Sequence, residues 1–580
     1  MKSFLRRLFK ILAYTAGGLV ILLAIVVGLF RLFLPRLPDY QEDIKGWASA
    51  AIGMTVEFSG MDARWGLSGP EVEFYDAELL TLDTNTRLVA ADEVSVGVGL
   101  ARLLIDRKFV VDHVAVRDTS IEVRQLPGGG WWVQGSPIEE LLPARRGEAG
   151  GDIGRIEVTG EDIEVRFLQP GDERPRRFQV SRVHAKRDDV RLAVDASIEL
   201  PDELGRRLNV MAVQMLTDPP DQRGWEVAVE IDDVELAGVT AMQPAEAARF
   251  DSGTGDVSLS LAIADKRIHS ASAEVDINDI AIAGLSDLAI RGRFEFLMDD
   301  DGWLVAANEL RARTPTGEWP ASTLRFEAST DGDGNIVMVD AQASYLDFAH
   351  LPVIKPWLSD EYGALLADYN PSGVVRDMAV TFTGVGTDTP GLNGSLRFEN
   401  LGIAAIGKRP GVRGFSGSIR ADSSGGRLEV DSDNLVVTSP QGLGRPLGFD
   451  TATATIIWRR SSEGITLLSD SIVLRNSFLD SESNVEVIFT DGTVAPFVDL
   501  NSTFSISDLA VVGDYVPFMP KRPRMSELFQ DGMQAGRIPR GRVRLYGPMD
   551  QFPFENDSDG LLLVEGTVRD AIVKYQRRWP

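Results

Sequence analysis

The sequence predicts a mainly β chain of many short antiparallel strands, bent at intervals, behind one N-terminal transmembrane helix. Three observations carry this. From Thr55 onward, alternating Val, Ile, Leu and Phe recur in short runs separated by Gly, Asp, Asn and Ser, the pattern of half-buried strands and tight turns. Helical periodicity is scarce. A strand motif with a break in parity recurs along the chain.

The first element is the run Ile11–Phe30, 20 residues without a charge. As a helix it spans about 30 Å, the thickness of a hydrocarbon layer. Lys2, Arg6, Arg7 and Lys10 precede it, whereas Arg31 and Arg36 are soon diluted by Asp39, Glu42 and Asp43. The positive-inside rule places the N-terminus in the cytoplasm and the bulk of the chain across the membrane. A cleavable signal peptide has a shorter apolar core and a small-x-small site, which is not evident here. Next, Tyr40–Gly53 places Ile44, Trp47, Ala48 and Ala51 on one helical face, with Gly53 as its stop.

Strands are expected around Val72–Phe74 and from Glu93, His113, Gly224, Asp256 and Thr451. Turns are expected at Gly128–Gly130, Asp331–Asn335 and Ser423–Gly426. The helical candidates are Ser136–Leu142, Pro244–Ala248, Trp357–Ala367 and Arg524–Gln530.

The parity break is clearest in AEVDINDIAIAG, Ala273–Gly284. Val275 and Ile277 lie on one side of a straight strand and Ile280 and Ile282 on the other. An extra residue at Asp279 restores all four to one side, because a bulge reverses parity and bends the strand. The same pattern brackets Asp76, Asp233, Asn400 and Asp508, with a further version around His113. Asp and Asn suit such pivots because they tolerate unusual backbone angles and bond nearby amides. The apolar positions around the pivots include Val229, Ile231, Val234 and Leu236, then Leu396, Phe398, Leu401 and Ile403, then Phe504 and Ile506. Irregular gaps between copies disfavour a solenoid of fixed period. A longer echo relates Gly373–Gly384 to Gly536–Gly547, 163 residues apart, with Val380 and Phe382 matching Val543 and Leu545.

Composition excludes several functions. The net charge is −27, from 86 acidic against 59 basic residues, which opposes a nucleic-acid partner. There is no cysteine, hence neither a disulfide nor a thiolate metal site. The four histidines, His113, His184, His269 and His350, show no paired ligand spacing, so neither metal nor cofactor is expected. Gly402–Pro410 approximates a phosphate loop but has Arg409 where Ser or Thr is needed, and Gly414–Ser418 lacks the last glycine of a nucleophile elbow. Asp331–Asn335 resembles half of a calcium loop, but Ile336 occupies the glycine position. No catalytic residue is assigned. The segment Pro127–Gly135, PGGGWWVQG, is open to three readings: a hairpin whose tryptophans cover a sheet edge, a membrane-interface anchor, or a sugar platform.

The residues also carry a family resemblance. The anchor followed by ARWGLSGPEVEFYDAEL, with Arg64, Trp65, Gly69 and Pro70, resembles the opening of the YhdP-like branch of the AsmA-like proteins. So do Pro410, Gly411, Gly414 and Gly417, then Trp458, Phe552–Phe554, and Asp570, Tyr575, Trp579 and Pro580, in that order. These are large bacterial envelope proteins with one membrane anchor, and members continue beyond the equivalent of Pro580, so the chain is expected to be an N-terminal portion.

The resemblance implies a repeating β-groove: a long curved sheet forming an elongated groove with an apolar inner face. It also implies movement of phospholipid between inner and outer membranes, with the outer membrane engaged through a C-terminal region that is not present. The expected layout is a cytoplasmic stub and anchor at 1–36, a juxtamembrane helix at 37–54, groove regions at 55–200 and 201–345, a groove unit with a helical insert at 346–507, and the start of a related unit at 508–580. About 30 strands at ~4.8 Å would extend on the order of 140 Å. The apolar residues around the pivots are then candidates to line a trough for acyl chains in the periplasm. The competing reading is a scaffold or outer-membrane assembly factor that holds protein partners and carries no lipid.

Overall fold

The computed structural model describes residues 40–52, 55–65, 70–80, 87–98, 111–126, 130–137, 156–172, 174–216, 224–243, 249–264, 267–315, 317–351, 359–387, 390–407, 409–439, 445–492, 495–515, 532–552 and 559–574, with Gly28 and Phe554. The proposed span at 11–30 and the helical candidate at 524–530 lie outside them, as do residues 244–248. Among the described residues no helix is long and apolar enough to cross a membrane.

The chain is mainly β and divides into two compact units, residues 1–247 with 252–271, and residues 248–251 with 272–580. In each, long alternating strands pair with their sequence neighbours. The expected strands run further than their apolar cores suggested: Pro70–Leu80, Arg87–Val98, Val111–Gln125, Trp225–Glu235, Phe250–Ala264 and Leu447–Ser461. They are long because alternation continues through the parity break.

One correction concerns topology. Val111–Gln125 and Ile156–Leu168 pair in parallel, from His113 against Glu157 to Arg124 against Leu168. Part of the intervening chain forms a small hairpin, Trp131–Val133 with Ser136–Pro137, beside the end of Val111–Gln125. Ser136–Pro137 is strand, where the start of a helix was expected, and residues 138–142 of that expected helix lie outside the described residues.

Helices are few. Gln41–Ile52 docks on the first strand: Lys45 Nζ lies 2.9 Å from Glu57, and Ser49 Oγ accepts a hydrogen bond from Val56 N at 2.9 Å. Asp360–Tyr369 begins after the extended Ser359, within the expected Trp357–Ala367, whose first two residues lie outside the described ones, and ends on Asn370 in the left-handed region. Leu236–Ala241 was not anticipated, and Leu236 belongs to it rather than to a strand.

The strands bend where side chains sit on left-handed backbone. Asp76, Asp233, Asp279 and Asn400 have φ of 49°, 51°, 53° and 52°. At Asp233 three steps along one strand, Ile231 to Val234, match two on its neighbour, Val257 to Gly255. Asn400 does the same, Phe398 to Leu401 against Gly417 to Phe415. One residue is thus extra, and the apolar residues on both sides of it share a face.

Two expected pivots differ. Asp508 has φ −142° and caps the short helix Leu509–Val512, accepting from Ala510 N at 3.0 Å, so the strand ends at Ile506. His113 is ordinary strand, and the pivot of that strand is Asp118 at φ 50°. Asp162, Asp287, Glu309, Asp377, Asn434 and Asp570 are further left-handed positions that the sequence motif missed.

A glycine on the neighbouring strand accommodates several pivots. A Cβ on Gly205 would stand 2.9 Å from Asp233 O, on Gly373 2.5 Å from Asn400 O, and on Gly414 2.7 Å from Asn434 O. These glycines themselves have φ of 140°, 97° and 76°. Where the pivot is Asp, the residue after the glycine can be an arginine that pairs with it: Arg206 lies 2.7 Å from Asp233, and Arg537 2.9 Å from Asp570. This Gly-Arg signal was present in the sequence and went unused.

Candidate lipid-facing surface

Residues directly opposite one another on paired strands project to the same side of a sheet. Register therefore traces a surface from strand to strand. In the first unit the trace runs Met61, Phe74, Val94, Val116, Gly160, then Val183, Ala196, Val210, Val229 and Leu259. Every member is apolar or glycine. One residue along, on the other side, it runs Tyr75, Glu93, Arg117, Glu161, Arg182, then Ser197, Asn209, Glu230 and Ser258.

The second unit repeats the segregation. From Phe296 the trace passes through Val305, Phe326, Ala341, Val380 and Gly394 to Ala421, Gly426, Trp458, Leu467, Val487, Val498 and Gly547. Its reverse side is largely polar, passing through Glu295, Arg325, Gln342, Ser395, Arg420, Arg427, Glu486 and Asp499, with Ala306, Ala379, Ile457 and Leu468 between them. The two strands of the Gly373–Gly384 and Gly536–Gly547 echo set Val380, Phe382, Val543 and Leu545 on the apolar side.

The polar side is held by cross-strand ion pairs. Arg117 bridges Glu93 at 2.6 Å and Glu161 at 3.0 Å, and these carboxylates, Glu161 first, raise its pKa above the ordinary arginine value. His184 stands between Glu157 at 2.8 Å and Asp195 at 3.2 Å. Such exposed pairs contribute little to stability individually but fix which side faces water. A hollow of about 580 Å³ on this side is lined by Arg397, Arg420, Arg427, Asn393 and Glu429, a charged surface unsuited to acyl chains.

On the apolar side, burial is graded. Next to the pivots the chain packs against itself: Ile282 is 1% exposed and Phe398 4% exposed, and Val234, Ile277, Ile280 and Leu310 are buried too. Phe398 stacks on Phe415 with ring centroids 5.0 Å apart, and Leu435, Phe449 and Ala452 form a core cluster beside them. Toward the hairpins the same side opens. Phe326 is 40% and Phe382 45% exposed, with Val305, Leu392 and Met298 similarly open.

The candidate residues thus separate. Val229, Ile231, Val275, Leu396, Leu401, Phe504 and Ile506 are half-buried, the five named above (Val234, Ile277, Ile280, Ile282, Phe398) are enclosed, Leu236 is helical, and Ile403 is exposed. Sequence reasoning did not place Phe326 and Phe382 among the groove candidates, because their strands carry no recognised pivot motif; Phe489, 45% exposed on the same side, was likewise left out.

His113 faces Thr159, and His350 is buried against Trp319 and Asp347. Among the described residues no group of three His, Asp or Glu side chains could hold a metal. Gly407 sits in a tight turn leading to the next strand, Gly411–Asp422, not to a helix. Asp331 Oδ1 accepts from Asn335 N at 2.9 Å and Asp333 N at 3.0 Å, closing a hairpin turn.

A family model described as YhdP protein matches residues 1–580. The chain belongs to the YhdP family. It is 22% identical over 630 residues to the intermembrane phospholipid transporter YhdP of Escherichia coli (strain K12), an alignment covering 99% of this chain and 46% of that relative. Family membership accounts for the order of the short motifs around Trp65, Gly411 and Trp458, each too brief to be decisive alone.

Proposed function

We propose that this YhdP-family chain conducts phospholipids between the inner and outer membranes, with acyl chains lying on the apolar side of its sheet and headgroups in water. The observation that carries this reading is the unbroken apolar trace within each unit, opposed by a charged reverse side and open to solvent at Phe326 and Phe382. A sheet side meant for ordinary core packing is covered by helices or a second sheet. Helices among the described residues are too few and short for that role. A relative named as an intermembrane phospholipid transporter supports the same substrate class.

In this reading residues 11–30 anchor the chain in the inner membrane with the N-terminus in the cytoplasm, and the strands lie in the periplasm as successive groove regions. The enclosed residues beside the pivots form the closed wall of the trough, and the open residues nearer the hairpins contact lipid. Movement along such a track is diffusive, with any directionality supplied elsewhere. The chain's part in this is non-enzymatic.

The test is mass spectrometry of the chain purified in mild detergent. Bound phospholipid is expected, and it should be lost when Phe326 and Phe382 are both changed to Asp. A chain that retains stable protein partners but never carries phospholipid would be a scaffold instead.

A further inference from the structure

The geometry points to the Trp131–Trp132 hairpin as a membrane-contacting lip, seated in the headgroup region of the bilayer that holds the N-terminal anchor. Both indoles are open, Trp131 at 41% and Trp132 at 37%. They lie on opposite sides of the sheet. Trp131, opposite Gln125, stacks on Phe167 at 5.8 Å, and Phe167 meets Phe178 at 6.4 Å, while Trp132 lies opposite Arg124.

Strand register fixes which end of the first unit this is. Helix Gln41–Ile52 docks at Val56–Phe58, and Thr55–Glu57 pairs with Glu78–Leu80 at the end of its strand. Leu80 pairs with Arg87, and the strand that begins there runs antiparallel to Val111–Gln125, so its start and Gln125 share one end. The hairpin continues from Gln125. It therefore emerges at the end where helix Gln41–Ile52 passes the chain into Thr55–Glu57, two strand spacings, roughly 10 Å, to the side. Between Phe30 and Tyr40 lie too few residues to carry the start of that helix beyond about 35 Å from the proposed span.

Chemistry supports the same partner. Tryptophan concentrates at the membrane–water boundary, where an apolar ring and an N–H donor are both accommodated. Although the chain is strongly acidic, this corner presents Arg174 and Arg177, exposed and without an ion pair among the described residues, opposite the end of the strand that carries Phe167. Paired with anionic headgroups, they offset the repulsion that the rest of the surface would feel. The aromatic trio Trp131, Phe167 and Phe178 stands at the mouth of the apolar side, so a lip in the bilayer would present that side to lipid.

The test uses the full chain in vesicles of phosphatidylethanolamine and phosphatidylglycerol. Because the chain has no cysteine, Trp132→Cys creates a unique site for a nitroxide. The label is expected to be relaxed strongly by oxygen and weakly by a water-soluble nickel chelate, whereas one at Arg182→Cys, on the polar side, should show the reverse. Equal nickel access at both positions overturns the proposal and leaves the hairpin facing water, as an edge cover or sugar platform. As a second readout, brominated lipid should quench tryptophan fluorescence less in Trp132→Phe than in the parent chain, and unchanged quenching contradicts the lip. A protected nitroxide on a chain that never carries phospholipid would keep the lip and refute conduction.

Discussion

At the scale of single residues, the fold depends on a few backbone positions that only certain side chains tolerate. Left-handed φ costs an ordinary L-residue roughly 1–2 kcal/mol, and Asp or Asn less. Asp279→Val should therefore destabilise the chain by about that amount, while Asp279→Asn stays near neutral, as read from denaturant midpoints. The facing glycines are stricter. Gly373→Ala places a Cβ 2.5 Å from Asn400 O at φ 97°, so its cost should exceed about 1 kcal/mol, whereas Gly332→Ala meets nothing within 4 Å and should be silent. Proton linkage gives a third expectation. Asp422 accepts from Ser424 Oγ and from the Ser424 and Gly425 amides, which hold its pKa below the ordinary 3.8. Its contribution is complete above the ordinary value and disappears as pH falls through the lower folded one. The stability difference between the parent chain and Asp422→Ala should thus be constant above ~pH 5 and shrink in more acid solution. The pivots were legible only where apolar residues flank them fully. Asp162 follows Gly160, Asn434 follows Ser432, and Asp118 precedes Thr119; small and hydroxyl side chains fill those places because the bend leaves little room. Glu309 escaped because Glu is an uncommon left-handed residue.

At the scale of elements, one strand carries two kinds of apolar residue that alternation cannot separate. Parity reveals the side of a sheet, but burial on that side depends on distance from the bend, a tertiary property. Ile282→Ala should cost about 2–5 kcal/mol, because the side chain is enclosed. Phe382→Ser should change stability by no more than ~0.5 kcal/mol and yet reduce phospholipid retention. Denaturation and lipid mass spectrometry on the same two variants would check this, and equal effects of both on stability would remove the distinction between wall and track. Alternation also located the strands well and their direction poorly. The parallel pairing of Val111–Gln125 with Ile156–Leu168 depends on a connection whose sequence carries no direction. Asp508 illustrates the opposite error: the motif's spacing recurs by chance where Leu509–Val512 turns helical.

At the scale of the molecule, segregation of apolar and charged surfaces is the property that matters for function. Composition alone, 44% apolar with a net charge of −27, is compatible with any acidic globular protein. Only register shows that the apolar residues of successive strands in each unit are collected on one side, the arrangement on which the proposed phospholipid track rests. The measurement that tests this most directly is site-specific photo-crosslinking in cells. Placed at Phe326 or Phe382, a photoreactive amino acid should capture phospholipid, and at Arg325 or Thr381, their neighbours on the polar side, it should capture none. Capture at the polar positions alone, or lipid at neither, would contradict a phospholipid track on the apolar side of the sheet.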